Sequence, residues 1–187
     1  MNTLRRLRAL KDDPASQAAE AVRLLSLEQP ADARLAALEV LAEWPAPEAR
    51  ESLLHLYDHY AKNGPKRDPG AYTRSALLRA LGPVARPEDG VRLRTAVATY
   101  ENLPPDFGEE ASMLRAAALL ALNQLEDPTV AFHAARLIVD EQTDRMSGEP
   151  ALTAVRVLAN RYQLLPIYQA ALTPAFLRRS TPPVCKV

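Results

Sequence analysis

The chain has 187 residues, with 23 Lys and Arg balanced by 23 Asp and Glu, so a formal net charge of zero gives no bulk electrostatic drive toward nucleic acid or an anionic membrane. It is 48% hydrophobic but only 5% aromatic, which predicts one buried domain with a core of Ala, Leu and Val. A single cysteine, Cys185, cannot form an internal disulfide, and no stretch approaches the ~18 uninterrupted apolar residues of a membrane helix. The expectation is a cytoplasmic protein with no membrane partner.

In chain order, residues 3–11 read as a short capping helix, closed by Asp12, Asp13 and Pro14. The N-terminal segment has Arg5, Arg6 and Arg8 but no apolar core of secretory type. Helix pairs follow at 15–28 with 31–44, 48–63 with 70–82, 88–103 with 110–124, and 129–142 with 150–163. A truncated helix at 166–172 stops before Pro174. Residues 1–176 thus read as a single domain and 177–187 as a flexible tail. The longer turns, at 64–69, 104–108 and 143–148, recur once per pair and offer a secondary candidate surface.

Repetition underlies this division. An acidic residue, five intervening positions and an arginine recur as Glu28 and Arg34, Asp68 and Arg74, Glu109 and Arg115. The text after each arginine aligns without gaps: RLAALEVLA, RSALLRALG and RAAALLALN, then a degenerate fourth copy, TAVRVLANR, from Thr153. The offsets are 40, 41 and 38. Pro47, Pro87, Pro128 and Pro166 repeat in the same register, each 13 residues after its partner among Arg34, Arg74, Arg115 and Thr153. Proline suits a first helical turn, where its missing N–H costs nothing. A period of this size marks stacked helix pairs, because one pair cannot bury its apolar stripe alone.

The segment from Asp68 and Pro69 through Arg74 to Gly82, DPGAYTRSALLRALG, resembles the second helix of a HEAT repeat, and the likeness spans roughly residues 14–172. The resemblance implies an all-α fold, an α-α superhelix or solenoid of about four HEAT-like helix pairs with the short N-terminal helix as cap. It also implies that the acid and arginine form a structural ladder between neighbouring units, carried here by Glu28, Arg34, Asp68, Arg74, Glu109 and Arg115. The fourth unit departs, with Ser147 and Thr153 at those positions, and Thr73 and Leu114 replace the usual valine.

In HEAT-like folds the second helices line the binding ridge. On 31–44 a helical wheel places Leu35, Leu38 and Leu41 inward and Asp32, Glu39 and Glu43 outward. The aligned outward positions are Tyr72 and Arg79, then Met113, Leu120 and Gln124, then Leu158 and Tyr162. The ridge runs from acidic to apolar. Two readings of its apolar end stand: a groove for a partner helix or peptide, with Tyr72, Arg79, Met113, Leu120, Leu158 and Tyr162 as the partner-binding set, or a core surface covered by the last helix and tail (Ile167, Tyr168, Phe176) or by a second copy in a homodimer.

Chemistry is sparse. Glu51, His55 and His59 are spaced four apart, but the spacing lacks the glutamate beside the first histidine of a metalloprotease motif, and the bland reading is a solvated helix face. His133 lies too far along the chain to join them. There is no nucleophile elbow, phosphate loop or dinucleotide fingerprint, so no catalytic residue, metal or cofactor is assigned. The arginine excess and alanine richness suggest a GC-rich bacterial source. The resulting expectation is a non-catalytic scaffold or adaptor that binds another protein. The alternative is a nucleic-acid-binding relative of HEAT-like DNA-alkylation-repair glycosylases, which Asp32, Glu39 and Glu43 disfavour by repelling phosphate.

Overall fold

The computed structural model of the chain describes residues 3–104 and 108–172, so the tail expected at 177–187, with Phe176 and Cys185, lies outside the described residues. Within them the fold is all-α. The helices are α1 (Thr3–Ala9), α2 (Pro14–Arg23), α3 (Ala31–Glu43), α4 (Arg50–Ala61), a four-residue α5 (Gly64–Arg67), α6 (Tyr72–Leu81), α7 (Gly90–Ala96), α8 (Ser112–Gln124), α9 (Val130–Ile138), α10 (Ala151–Asn160) and α11 (Leu164–Ala171). Two short strands, β1 (Asn102–Leu103) and β2 (Gly108–Glu109), pair antiparallel. Among the described residues no helix is long and apolar enough to cross a membrane.

The repeated prolines act near helix starts. Pro14 opens α2, where the Asp13 side chain accepts the Ser16 N–H at 3.2 Å. The Ser16 hydrogen bonds hold the Asp13 carboxyl below the usual carboxylate range. Pro47 and Pro87 begin 3₁₀ turns, Pro47–Ala49 and Pro87–Asp89, that run into α4 and α7. Pro166 departs from the expected pattern: α11 begins two residues earlier, at Leu164. A proline is tolerated in that first turn because its amide would have no intrahelical acceptor.

Every expected pair is in contact, α2 on α3, α4 on α6, α7 on α8 and α9 on α10. The second helices also touch in sequence order, α3 on α6, α6 on α8, and α8 on α10. At the ends α1 packs on α3, and α11 packs on α10 and α9. One hydrophobic cluster runs from Leu7 through Leu38, Leu41, Leu77, Leu119 and Leu122 to Val157, Leu158 and Ala170. Ala37, Ala80, Ala118, Ala121 and Ala154 are buried within it, and such small side chains allow helix backbones to approach closely.

Three first helices are shorter than their sequence pattern predicts. α2 ends at Arg23 rather than 28, α7 at Ala96 rather than 103, and α9 at Ile138 rather than 142. Beyond each end, backbone carbonyls accept hydrogen bonds from an arginine of another helix. Arg34 donates to Ser26 and Leu27, each at 3.3 Å, and to Gln29. Arg115 donates to Thr99 and Gln142, each at 3.1 Å, and Arg136 to Val97 at 2.9 Å. A carbonyl in a helix interior already accepts from the residue four ahead, so the chain leaves the helix to serve these arginines. α6 likewise starts at Tyr72 rather than 70, because Gly70 (φ 75°) and Ala71 (φ 55°) are left-handed. Glycine adopts that conformation without steric cost; alanine does not.

Candidate interaction surface

Arg74 carries the most complete clamp. The Asp68 carboxylate accepts from the Thr73 and Arg74 backbone N–H groups at 2.9 Å and from Arg74 Nε at 3.1 Å. The far side of the same guanidinium donates from both Nη atoms to Glu101 at 2.6 and 2.7 Å, and all three residues are buried. Burial pushes the adjacent Tyr57 hydroxyl up to about 12, against the pull of the Arg74 charge. Arg115, fully buried, lies 2.7 Å from Glu109 and 3.3 Å from Asp140, the latter without hydrogen-bond geometry. Its guanidinium carbon sits 4.1 Å from the centroid of the Tyr100 ring.

The first expected pair fails. Glu28 is exposed, and Arg34 binds the three carbonyls above and the Tyr60 hydroxyl at 2.7 Å instead. The loop carbonyls and the Tyr60 hydroxyl supply acceptors for both Nη atoms of Arg34, while its buried Nε has no hydrogen-bond partner. The partners from the next unit, Tyr60, Glu101 and Asp140, were invisible in the repeat text. They fall 26, 27 and 25 residues after their arginines, and they differ in chemical type. The β1–β2 hairpin brings two of the acids together: Glu109 accepts from the N–H groups of Glu101 and Ala111, at 3.3 and 2.7 Å.

A second tier of charge pairs joins the first helices. Arg50 on α4 grips Asp89 with two bonds, 2.9 and 2.7 Å, and Arg92 on α7 binds Asp58 at 3.0 and 3.1 Å. Arg94 pairs with Asp127. Burial alone would raise Asp127, but hydrogen bonds from Thr129 and the Arg94 charge outweigh it and hold the carboxyl below its ordinary value. In the fourth pair Thr153 is buried and its N–H donates to Glu149 at 3.1 Å; Arg161, just past the end of α10, donates to Asn123 on α8 at 3.0 Å.

Four of the six expected partner-binding residues face solvent on the second helices: Tyr72 and Arg79 on α6, and Met113 and Leu120, the last 41% exposed, on α8. Leu158 does not. It is 0% exposed, part of the core, because α10 is packed by α8, α9 and α11 together. Tyr162 is exposed but lies past the end of α10, left-handed at φ 57°, in the turn toward α11 rather than on a helix face. On α3, Asp32, Glu39 and Glu43 are exposed and Leu38 and Leu41 buried, whereas Leu35, expected inward, is exposed.

Two clefts open on the second helices, one between α1 and α3 and one between α3 and α6. The first, about 410 Å³, is lined by Leu7 and Arg8 of α1, by Lys11 in the turn after it, and by Ala36, Glu39, Val40, Glu43 and the exposed Trp44 of the α3 side. The second, about 220 Å³, is lined by Leu38, Glu39, Ala42, Ala76 and Arg79. Glu39 borders both. Trp44 falls at the end of the segment expected as a helix over 31–44 and α1 carries none of the aligned text, so nothing in the alignment brings them together.

The histidine segment offers no such assembly. His55 is exposed, and the Glu51 carboxylate sits against Arg50 at 2.5 Å. Among the described residues no group of three or more His, Cys, Asp or Glu side chains is placed to hold a metal ion. The chain matches no family model, no curated protein and no solved structure.

Proposed function

We propose that the chain is a HEAT-like α-solenoid acting as a non-catalytic, cytoplasmic protein-interaction scaffold, with a partner helix or peptide lying across α1, α3, α6 and α8. The observation that carries this reading is the pair of clefts sharing Glu39, continued along the row of second helices by exposed Tyr72, Arg79, Met113 and Leu120. Trp44, Val40 and Leu7 offer an apolar seat of the kind that anchors an interface, and the charges around it set orientation. Arg8 and Lys11 on one wall face Glu39 and Glu43 on the other. That arrangement suits a partner carrying both signs of charge around an apolar side chain. The buried arginine clamps give the scaffold its rigidity, so the partner meets a preformed surface.

Capture from a native lysate with wild type and a Trp44→Ala/Leu120→Asp variant, both first shown to be folded, tests the reading. A protein retained by wild type alone supports it. Equal capture by both rejects this surface, and a shift of DNA at physiological salt would favour the nucleic-acid alternative.

A further inference from the structure

The last helix carries an apolar stripe that no described element covers. Leu164, Leu165, Tyr168 and Leu172 are 44%, 68%, 63% and 77% exposed. On a helix they fall within an arc of about 100°, while Ala170, on the opposite side, is buried in the core and Ile167, flanking the stripe, packs against it. From Tyr162 to Leu172 the sequence has no charged residue. We infer that this stripe is the self-association face of the protein, taking the α11 stripe of a second copy in a two-fold dimer.

Three observations select that occupant. With Tyr162 in the adjoining turn, the exposed apolar side chains amount to roughly 650 Å², close to the ~800 Å² per partner of a standard stable interface. An uncharged surface meets its own copy without like-charge repulsion, as an isologous contact requires. The apolar seat at the opposite end, around Trp44 and Val40, is rimmed by Arg8, Lys11, Glu39 and Glu43, for which the uncharged α11 stripe has no partner, so head-to-tail stacking would desolvate those charges against leucine. The stripe is carried by α11 and the clefts by α1, α3 and α6, so the inference stands apart from the scaffold reading.

Light scattering on the full chain after size exclusion, at tens of micromolar, tests this directly. Wild type is expected at twice the 20.5 kDa chain mass, and Leu165→Glu and Tyr168→Glu are each expected at the single-chain mass with unchanged helicity. Leu120→Asp, on α8, should remain dimeric. Amide exchange across 164–172 should slow with rising wild-type concentration, a readout that does not depend on any variant folding. A wild type at single-chain mass overturns the inference, whether residues 173–187 or a different protein cover the stripe. So does a dimer that survives both α11 substitutions or is broken by Leu120→Asp.

Discussion

Replacing Arg115 by methionine keeps an unbranched stem over Tyr100 and deletes the charge together with the donors to the Thr99 and Gln142 carbonyls. The guanidinium is 0% exposed and stands between two carboxylates that are themselves nearly inaccessible, Glu109 at 2% and Asp140 at 7% side-chain exposure. Removing one partner of a buried ion pair leaves an uncompensated charge and typically costs about 3–5 kcal/mol. For a chain of this length that corresponds to a fall in Tm of roughly 6–20 °C. Arg34→Met is the internal control. Arg34 faces carbonyls and a tyrosine hydroxyl, so its loss removes charge-assisted hydrogen bonds but strands no charged partner, and should cost about 1.5–3 kcal/mol, less than the loss of Arg115. Adding Glu109→Gln to Arg115→Met should recover at least about 1 kcal/mol, because an amide keeps the bonds to the Ala111 and Glu101 N–H groups without the stranded charge. Urea unfolding followed by far-UV circular dichroism measures all four proteins. Arg115→Met no more destabilising than Arg34→Met, or no recovery in the double variant, would refute the clamp as an electrostatic device.

Three further outcomes follow from the packing. Gly64→Ala should destabilise by about 1–3 kcal/mol in urea unfolding, although alanine is the better helix former by about 1 kcal/mol, because its methyl would occupy the space of the Arg74 guanidinium and the Glu101 carboxylate. Leu158→Ala should cost about 2–5 kcal/mol as a core truncation, whereas Leu120→Ala, partly exposed, should stay within about 0.5 kcal/mol in the same assay. Burial first, with the charges of Arg136 and Arg94 adding and that of Asp127 opposing, holds His133 below its ordinary 6.5. Its stabilising contribution is therefore full above pH 6.5 and is lost as pH falls through the lower folded value, since the unfolded chain binds the proton first. His133→Gln should flatten the decline in Tm on acidification from neutral pH, and an unchanged slope would remove His133 as its source.

The alignable segments anticipated which helices touch, because an apolar stripe on each of them must be covered by a neighbour. It could not carry the places where units grip each other. Arg34, Arg74 and Arg115 are aligned and chemically identical, yet they close on a tyrosine hydroxyl, a glutamate bidentately and an aspartate backed by an aromatic ring. Carbonyls, hydroxyls and carboxylates all qualify as acceptors for the Nη donors of a buried guanidinium, although the Nε groups of Arg34 and Arg115 have no hydrogen-bond partner. Those acceptors are found at different distances along the chain, so no alignment column contains them. Satisfying them also unwinds the ends of α2, α7 and α9, which is why the expected helices overran in those three places. Leu158 failed for a related reason: the alignment transferred a position from α8, flanked on both sides by other second helices, to α10, which α11 also covers. A terminal unit has a different set of neighbours from an internal one, so its inward and outward faces are set by what packs on it rather than by its phase in the repeat. The same reasoning brings α1 and Trp44 into the candidate site. The groove beside α3 exists because α1 packs against α3, although α1 shares none of the aligned text.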